Sequence, residues 1–212
     1  MGEHVTLVGQ TGSGKTTSAI VLLERAANVA PVIVIDTKPE DALEQLPGVI
    51  YNNPHEALKS PDWITIYRPN DEHAQPEQVG AFLQAVYEQQ RPNLYLYIDE
   101  TFHAVSRSGR PEEGIANILM RGRSRIHKET GQKLRMSVIA SSQRPRWIPL
   151  SFWTESTHFF MHHLRAKDDR ITMASYIGFN DLLVNNPPMG HNFYYFRNNV
   201  EGLTPTLTEW RL

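Results

Sequence analysis

Eight residues near the start of the chain, Gly9-Gln10-Thr11-Gly12-Ser13-Gly14-Lys15-Thr16, carry the spacing G-x-x-x-x-G-K-T. That spacing suits a bound polyphosphate. Glycines let the backbone wrap an anion and aim N–H groups at it, because only glycine takes the required dihedrals at low cost. A helix starting near Thr16 adds the positive end of its dipole. Lys15 supplies a point charge for the β- and γ-phosphates, and the Thr16 hydroxyl suits Mg²⁺. With Gln10, Thr11, Ser13 and Thr17 completing the lining, these residues predict ATP and Mg²⁺ as ligands. A glycine turn that binds nothing is the plain alternative. The context argues against it, since an apolar run (Val5–Val8) precedes the loop and a helical pattern follows it.

Two further segments end in polar groups that suit hydrolysis. Leu94-Tyr95-Leu96-Tyr97-Ile98-Asp99-Glu100 reads as a buried strand delivering Asp99 to the sheet edge beside the phosphate loop, where it would hold Mg²⁺. Glu100 adds a carboxylate able to polarise an attacking water. Ile139-Ala140-Ser141-Ser142-Gln143 is a strand ending in an amide that could bond the γ-phosphate or that water. Three histidines (His158, His162, His163) raise a metal question. Residues 158 and 162 share a strand face while 163 points away, so packing is the favoured account. Phe193, Tyr194, Tyr195 and Phe196 could stack on bases, but a late sheet strand explains them as well.

The elements that must hold these residues alternate. Strands are expected at Val5–Val8, Pro31–Asp36, Ile64–Tyr67, Leu94–Asp99, Met136–Ser142, His158–Leu164 and Asn192–Arg197. Helices are expected at Thr16–Ala27, Pro76–Gln90, Glu112 to about Ser124, and Lys167–Ile177. In the second, Val79, Phe82, Leu83 and Val86 fall on one face. The alternation predicts an α/β fold: one RecA-like P-loop NTPase domain over residues 1–212, with a mostly parallel sheet and helices on both faces. The polar loops at Thr101–Pro111 and His127–Lys133 are candidates for function.

Composition narrows the class. The chain has no cysteine, which excludes disulfides, a thiolate zinc site and a cysteine nucleophile, and fits a reducing compartment. No signal peptide is read at the start, and no apolar stretch is long enough to span a membrane. The formal net charge is only −2, but it is unevenly spread. Residues 36–72 hold eight acids and three bases, whereas residues 106–146 hold ten bases and three acids, a net of +7. The basic block suits an anionic partner, and a solvated face is the competing account. Arg107 and Arg110 after Glu100, with Arg144 and Arg146 after Gln143, are the expected DNA contacts.

Together these segments resemble the FtsK–HerA superfamily of DNA-pumping ATPases. VIVIDTKPE (Val32–Glu40) is similar to its second-strand segment, LYLYIDE to its Asp-Glu strand, SVIASSQRP (Ser137–Pro145) to its sensor segment, and AKDDRI (Ala166–Ile171) to the stretch after the next strand. The resemblance implies Gln143 as sensor and a homo-oligomeric ring, usually a hexamer, with an arginine finger entering a neighbour's site. The finger's segment reads Met120-Arg121-Gly122-Arg123-Ser124-Arg125, in which Arg123 ranks first and Arg121 second. His127–Lys133 looks like an insertion there. The chain lacks the spans and DNA-reading domains of cellular pumps and is similar in size to viral genome-packaging ATPases. That implies double-stranded DNA as partner, capsid or portal-vertex proteins as further partners, and a location in host cytoplasm or at a virion vertex. The alternatives are a plasmid or conjugation DNA pump, a nucleotide-dependent switch, and a small-molecule P-loop kinase.

Overall fold

The computed structural model describes residues 2–38, 41–104, 111–198 and 202–210. Its centre is a nine-stranded sheet. In chain order the strands are β1 (His4–Val8), β2 (Val32–Asp36), β3 (Val49–Tyr51), β4 (Ile64–Tyr67), β5 (Leu94–Asp99), β8 (Met136–Ser142), β9 (Ser156–Met161), β10 (Phe193–Arg197) and β11 (Thr206–Thr208). Two short strands, β6 (Arg125–Ile126) and β7 (Lys133–Leu134), form a separate hairpin. The spatial order is β11-β10-β9-β1-β8-β5-β2-β4-β3. From β3 to β9 every pairing is parallel, and β10 and β11 extend one edge antiparallel.

Among the described residues six α-helices link the strands: α1 (Lys15–Ala27), α2 (Pro54–Lys59), α3 (Pro76–Glu88), α4 (Glu113–Arg121), α5 (Leu150–Glu155) and α6 (Lys167–Ile177). They cover the sheet unequally. Ala19, Leu23 and Ala26 of α1 pack with Leu7, Val34, Tyr97 and Ile139 on one face. Residues from α2 through α6 pack with Val8, Ile35, Leu96 and Val138 on the other. The central strands β2 and β8 are buried along their whole length, as strands with both faces covered must be.

The expected strands and helices are present, with ends shifted by a few residues. The sequence reading omitted β3, α2, β6, β7, α5 and β11, all short. Asn53 caps α2, its side-chain oxygen accepting from His55 N–H and Glu56 N–H, and Pro54 opens the first turn. Of the segment expected as an insertion, His127–Lys133, residues 127–132 form the turn of the β6–β7 hairpin and Lys133 begins β7. Among the described residues no helix is long and apolar enough to cross a membrane.

Candidate nucleotide site

Parallel strands place every strand's C-terminal end on one edge of the sheet, and the expected site residues collect there. Gly9 N–H donates to Ser142 O at 3.2 Å, and Gln10 N–H to His163 O at 2.9 Å. The first leg of the loop is thereby held between β8 and the end of β9. Ser13 then turns inward, its N–H and hydroxyl both bonding Gln10 O, at 3.2 and 2.7 Å. Gly12 and Gly14 sit at φ +75° and +93°, which L side chains take only under strain. A Cβ on Gly9 would come within 2.5 Å of His162 Cβ and 2.6 Å of Ser13 Oγ. A Cβ on Gly12 would meet nothing within 4 Å, so the cradle opens outward there.

Gly14 serves as N-cap of α1 without any side-chain cap, and the helix starts with no acid in its first turn. Such an end directs N–H groups and a positive dipole at an anion. Lys15 is buried and spans the loop, its Nζ donating to Gln10 O at 3.2 Å. Thr16 is half-buried beside it and Thr17 is exposed, as is Thr11. The open cradle, the lysine and the helix start fit a polyphosphate.

Asp99 ends β5 and is buried, its Oδ1 accepting the Tyr97 hydroxyl at 2.8 Å. The Asp99 carbonyl accepts the Thr37 hydroxyl at 3.0 Å. A buried carboxylate at the strand end and a threonine hydroxyl in the first turn of α1 are oxygen donors of the kind a hard cation such as Mg²⁺ takes. Glu100 stands at φ +62°, an uncommon conformation for a non-glycine residue. The bend turns its carboxylate to β8, where Oε1 accepts the Ser142 hydroxyl at 2.9 Å and Oε2 the Gln143 N–H at 3.3 Å. The Gln143 side chain reaches the loop instead, its Oε1 accepting the Thr11 hydroxyl at 3.0 Å. Lys15, Glu100, Gln143 and the loop therefore form one connected group.

Several partners were missed by sequence reasoning. Ser142 joins the loop through its carbonyl and Glu100 through its hydroxyl, yet it reads in sequence as one more small strand residue. Asp36, opposite Asp99 in the sheet register, is fully buried and paired with Arg68 at 2.8 Å; Arg68 also reaches Glu44 at 2.8 Å. Asp169 and Arg170 shape the cavity wall. Arg144 bonds buried Asp169 at 3.3 Å, and Arg170 donates to the carbonyls of Leu164, Arg165 and Val184. A cavity of about 590 Å³ opens between this wall and Gln10, Thr11 and Gln143. A second cavity, about 480 Å³, lies against Val5, Phe160, Trp210 and the last turns of α1 (Leu22, Arg25, Ala26), and neither Asp99 nor Glu100 lines it.

The expected DNA-facing arginines divide. Arg107 and Arg110 lie outside the described residues, as do Pro39 and Glu40 of the VIVIDTKPE segment. Arg144 is tied to Asp169, and Arg146 is exposed. Both guanidinium groups lie near the exposed Trp147 ring, at 5.7 and 5.6 Å from its centre, and Trp147 packs on exposed Phe102, centroids 5.3 Å apart. Arg121 and Arg123 sit at the other end of the sheet. Gly2 packs on Arg123 and bonds Ser137, whereas the phosphate loop leaves the far end of β1. Five strand residues, about 16 Å, separate those ends. Arg121 is exposed; Arg123 is half-buried, its Nε and Nη2 without a hydrogen bond among the described residues.

The histidines do not form a metal site, and no cluster of ligating side chains occurs among the described residues. His158 bonds Glu3 and Tyr195, His163 bonds Pro188 O, and His162 lies beneath the phosphate loop. Phe193, Tyr194 and Phe196 are buried in the sheet.

A RecA-like sheet carrying a glycine-rich loop, an Asp-Glu strand end and a strand ending in Ser142-Gln143 on one edge is that of a P-loop ATPase. Residues 1–144 match the family model described as "Helicase HerA, central domain", and the chain belongs to that family, within the FtsK–HerA superfamily. Comparison with curated protein sequences finds no match. Among solved structures, the fold is similar to the genome packaging NTPase B204 from Sulfolobus turreted icosahedral virus 2 in complex with ATP-gammaS. The TM-score is 0.74 at 16% identity, covering 99% of this chain and 98% of that one. It is also similar to B204, the DNA-packaging ATPase from Sulfolobus turreted icosahedral virus, with TM-score 0.68, 15% identity and coverage of 99% and 98%. VirB4 of Thermoanaerobacter pseudethanolicus is similar at TM-score 0.67 and 12% identity, with coverage of 99% and 89%.

Proposed function

We propose that residues 1–212 act as one ATPase unit that hydrolyses ATP with Mg²⁺ and moves double-stranded DNA as a homo-oligomeric ring, in the role of viral genome packaging. The observation that carries this reading is the joining of Glu100, Ser142, Gln143 and Thr11 by hydrogen bonds across three elements. The same sensor strand runs on directly to Arg144, Arg146 and Trp147 at the surface. A change at the γ-phosphate is thus felt within four residues of an exposed cationic and aromatic patch.

The roles follow from placement. Gly9–Thr17 hold the phosphates through backbone N–H groups and Lys15. Thr16 and Asp99 would hold Mg²⁺, which would neutralise phosphate charge. Glu100 accepts the proton of the attacking water, and Gln143 bonds the γ-phosphate or that water. Arg123, with Arg121 as second choice, is too far from its own subunit's loop to act there. A finger acting on a neighbour's γ-phosphate is therefore the role left to either. Arg146 and Arg144, with Arg107 and Arg110, contact DNA phosphates without reading sequence. The packaging role, with capsid or portal-vertex partners in host cytoplasm or at a virion vertex, draws on the two-way coverage of the B204 proteins. A likeness to the pCW3 conjugation coupling protein TcpA, at TM-score 0.58 and 11% identity, supports a conjugation pump as the second reading.

The test is ATP turnover with and without double-stranded DNA. Wild type should be stimulated by DNA, and Lys15→Ala should lose most binding or turnover. Glu100→Gln should bind ATP while turnover falls roughly 10²–10⁴-fold. Arg146→Ala should lower the log–log salt slope of DNA binding by about one unit. Turnover indifferent to DNA, with no DNA binding, would refute the motor and leave the switch or kinase.

A further inference from the structure

His162 is 1% exposed and directly under the phosphate loop. Its own N–H donates to Val8 O at 2.7 Å, the last strand residue before the loop. Its ring has one consistent hydrogen-bond pattern. Nδ1 lies 2.9 Å from Ser13 O, a pure acceptor, so Nδ1 carries the proton. Nε2 lies 2.9 Å from Ser18 Oγ, and in the neutral ring it accepts the hydroxyl proton. The Trp210 indole N–H completes the chain by donating to Ser18 Oγ at 2.6 Å. Phe193 packs against the ring, centroids 5.0 Å apart.

The bond to Ser13 O matters because of peptide geometry. The Ser13–Gly14 peptide is trans, so its C=O and N–H point in opposite directions. Holding the Ser13 carbonyl down toward His162 turns the Gly14 N–H up, away from the ring and toward the open side of the loop. Gly14 has no Cβ to resist rotation of this peptide, and a Cβ there would lie only 3.3 Å from His191 Nδ1. Ser18 ties the same point to α1, its N–H donating to Gly14 O at 3.0 Å. One side chain thus fixes a rotatable peptide at the place where the loop becomes the helix.

We propose that His162 is a positioning residue for the phosphate loop, acting as a neutral Nδ1–H imidazole that orients the Ser13–Gly14 peptide, with Trp210 holding the Ser18 hydroxyl as donor to Nε2. The proposal rests on the nucleotide-binding role of Gly9–Thr16. The ring's neutrality agrees with its surroundings. Burial holds its pKa down at about 4 against the opposing Ser13 bond, and the neighbouring charges of Lys15 and His191 lower it further.

The experiment uses the full chain with His162→Asn, His162→Gln, Trp210→Phe and Lys15→Ala. Asparagine keeps an N–H near the Nδ1 position; glutamine puts its polar end near Nε2 and leaves Ser13 O without its donor. Imidazole ¹⁵N spectra of the nucleotide-free protein should show His162 as the neutral Nδ1–H tautomer from pH 7 to pH 5. Calorimetric titration with magnesium–ATPγS should show affinity falling roughly 10-fold or more in His162→Gln and less than about 3-fold in His162→Asn. Thermal melts check that each variant is folded, since a merely structural role would destabilise both without separating their affinities. If neither variant folds, Trp210→Phe decides, with the Nδ1–H tautomer retained and a loss of roughly 3-fold in affinity expected as the Ser18 hydroxyl loses its anchor. An Nε2–H or charged ring in wild type overturns the proposal, as do equal affinities of the two variants or, where neither folds, an unchanged affinity in Trp210→Phe. Wild type that binds no nucleotide, or Lys15→Ala that binds like wild type, instead overturns the phosphate-loop reading beneath it.

Discussion

Acidification from pH 7 to pH 5 should remove a large part of the folding free energy, because two buried imidazoles resist protonation. His4 is fully buried, and both its nitrogens are committed. Nε2 donates to Leu119 O at 3.1 Å, and Nδ1 accepts the Val138 N–H at 3.0 Å. A proton on Nδ1 would set two N–H groups face to face. Burial, reinforced by the Arg123 charge, pushes the His4 pKa down to about 4 against the Leu119 bond. His162 is lowered to about 4 for the reasons given above. In the unfolded chain both titrate near about 6.5. Between those values the unfolded state binds protons that the native state refuses, so stability is complete above about pH 6.5 and falls as pH drops toward 4. Each pH unit costs about 1.4 kcal/mol per histidine, so at pH 5 the two together cost about 4 kcal/mol, a large share of a typical 5–15 kcal/mol. Urea unfolding at pH 7, 6 and 5, followed by far-ultraviolet circular dichroism, measures this. His4→Asn keeps an acceptor for Val138 without the titration and should lose about half the slope. A wild-type loss under about 1 kcal/mol, or a His4→Asn slope equal to wild type, would refute the reasoning.

Ser142→Ala removes the hydroxyl that holds Glu100 Oε1 and should lower kcat roughly 10-fold with nucleotide affinity unchanged, as steady-state kinetics beside calorimetry would show. Arg68→Ala leaves the buried Asp36 carboxylate without its guanidinium and should cost about 3–5 kcal/mol in urea unfolding, partly recovered by adding Asp36→Asn. Mixing Arg123→Ala with Glu100→Gln protein should restore turnover, since some ring junctions then carry both wild-type groups. No recovery in demonstrated mixed assemblies moves the assignment to Arg121.

Much of the site was legible in the sequence because its parts are local. A buried parallel strand is mostly apolar and ends where the backbone meets solvent, so Val8–Gly9, Ile98–Asp99 and Ser142–Gln143 each mark a point on the sheet's C-terminal edge. Helix α3 shows its face by periodicity alone, with Val79, Phe82, Leu83 and Val86 all buried. The short elements gave no such signal. β3 is largely exposed and exists through its pairing with β4, and α2 has a single buried residue. Pairings across the chain were hidden for a different reason. Glu100 meets Ser142 over 42 residues, Ser13 meets His162 over 149, and Ser18 meets Trp210 over 192. No spacing rule connects such positions. The sheet order sets β9 beside β1 and returns the chain's last described residues to α1, and only that closure brings His162 and Trp210 to the loop. Residue types along the chain determined which chemistry was available. The folded sheet decided which groups hold that chemistry in place, because a hydrogen bond a few ångströms long depends on where the strands lie, not on where the residues fall in sequence.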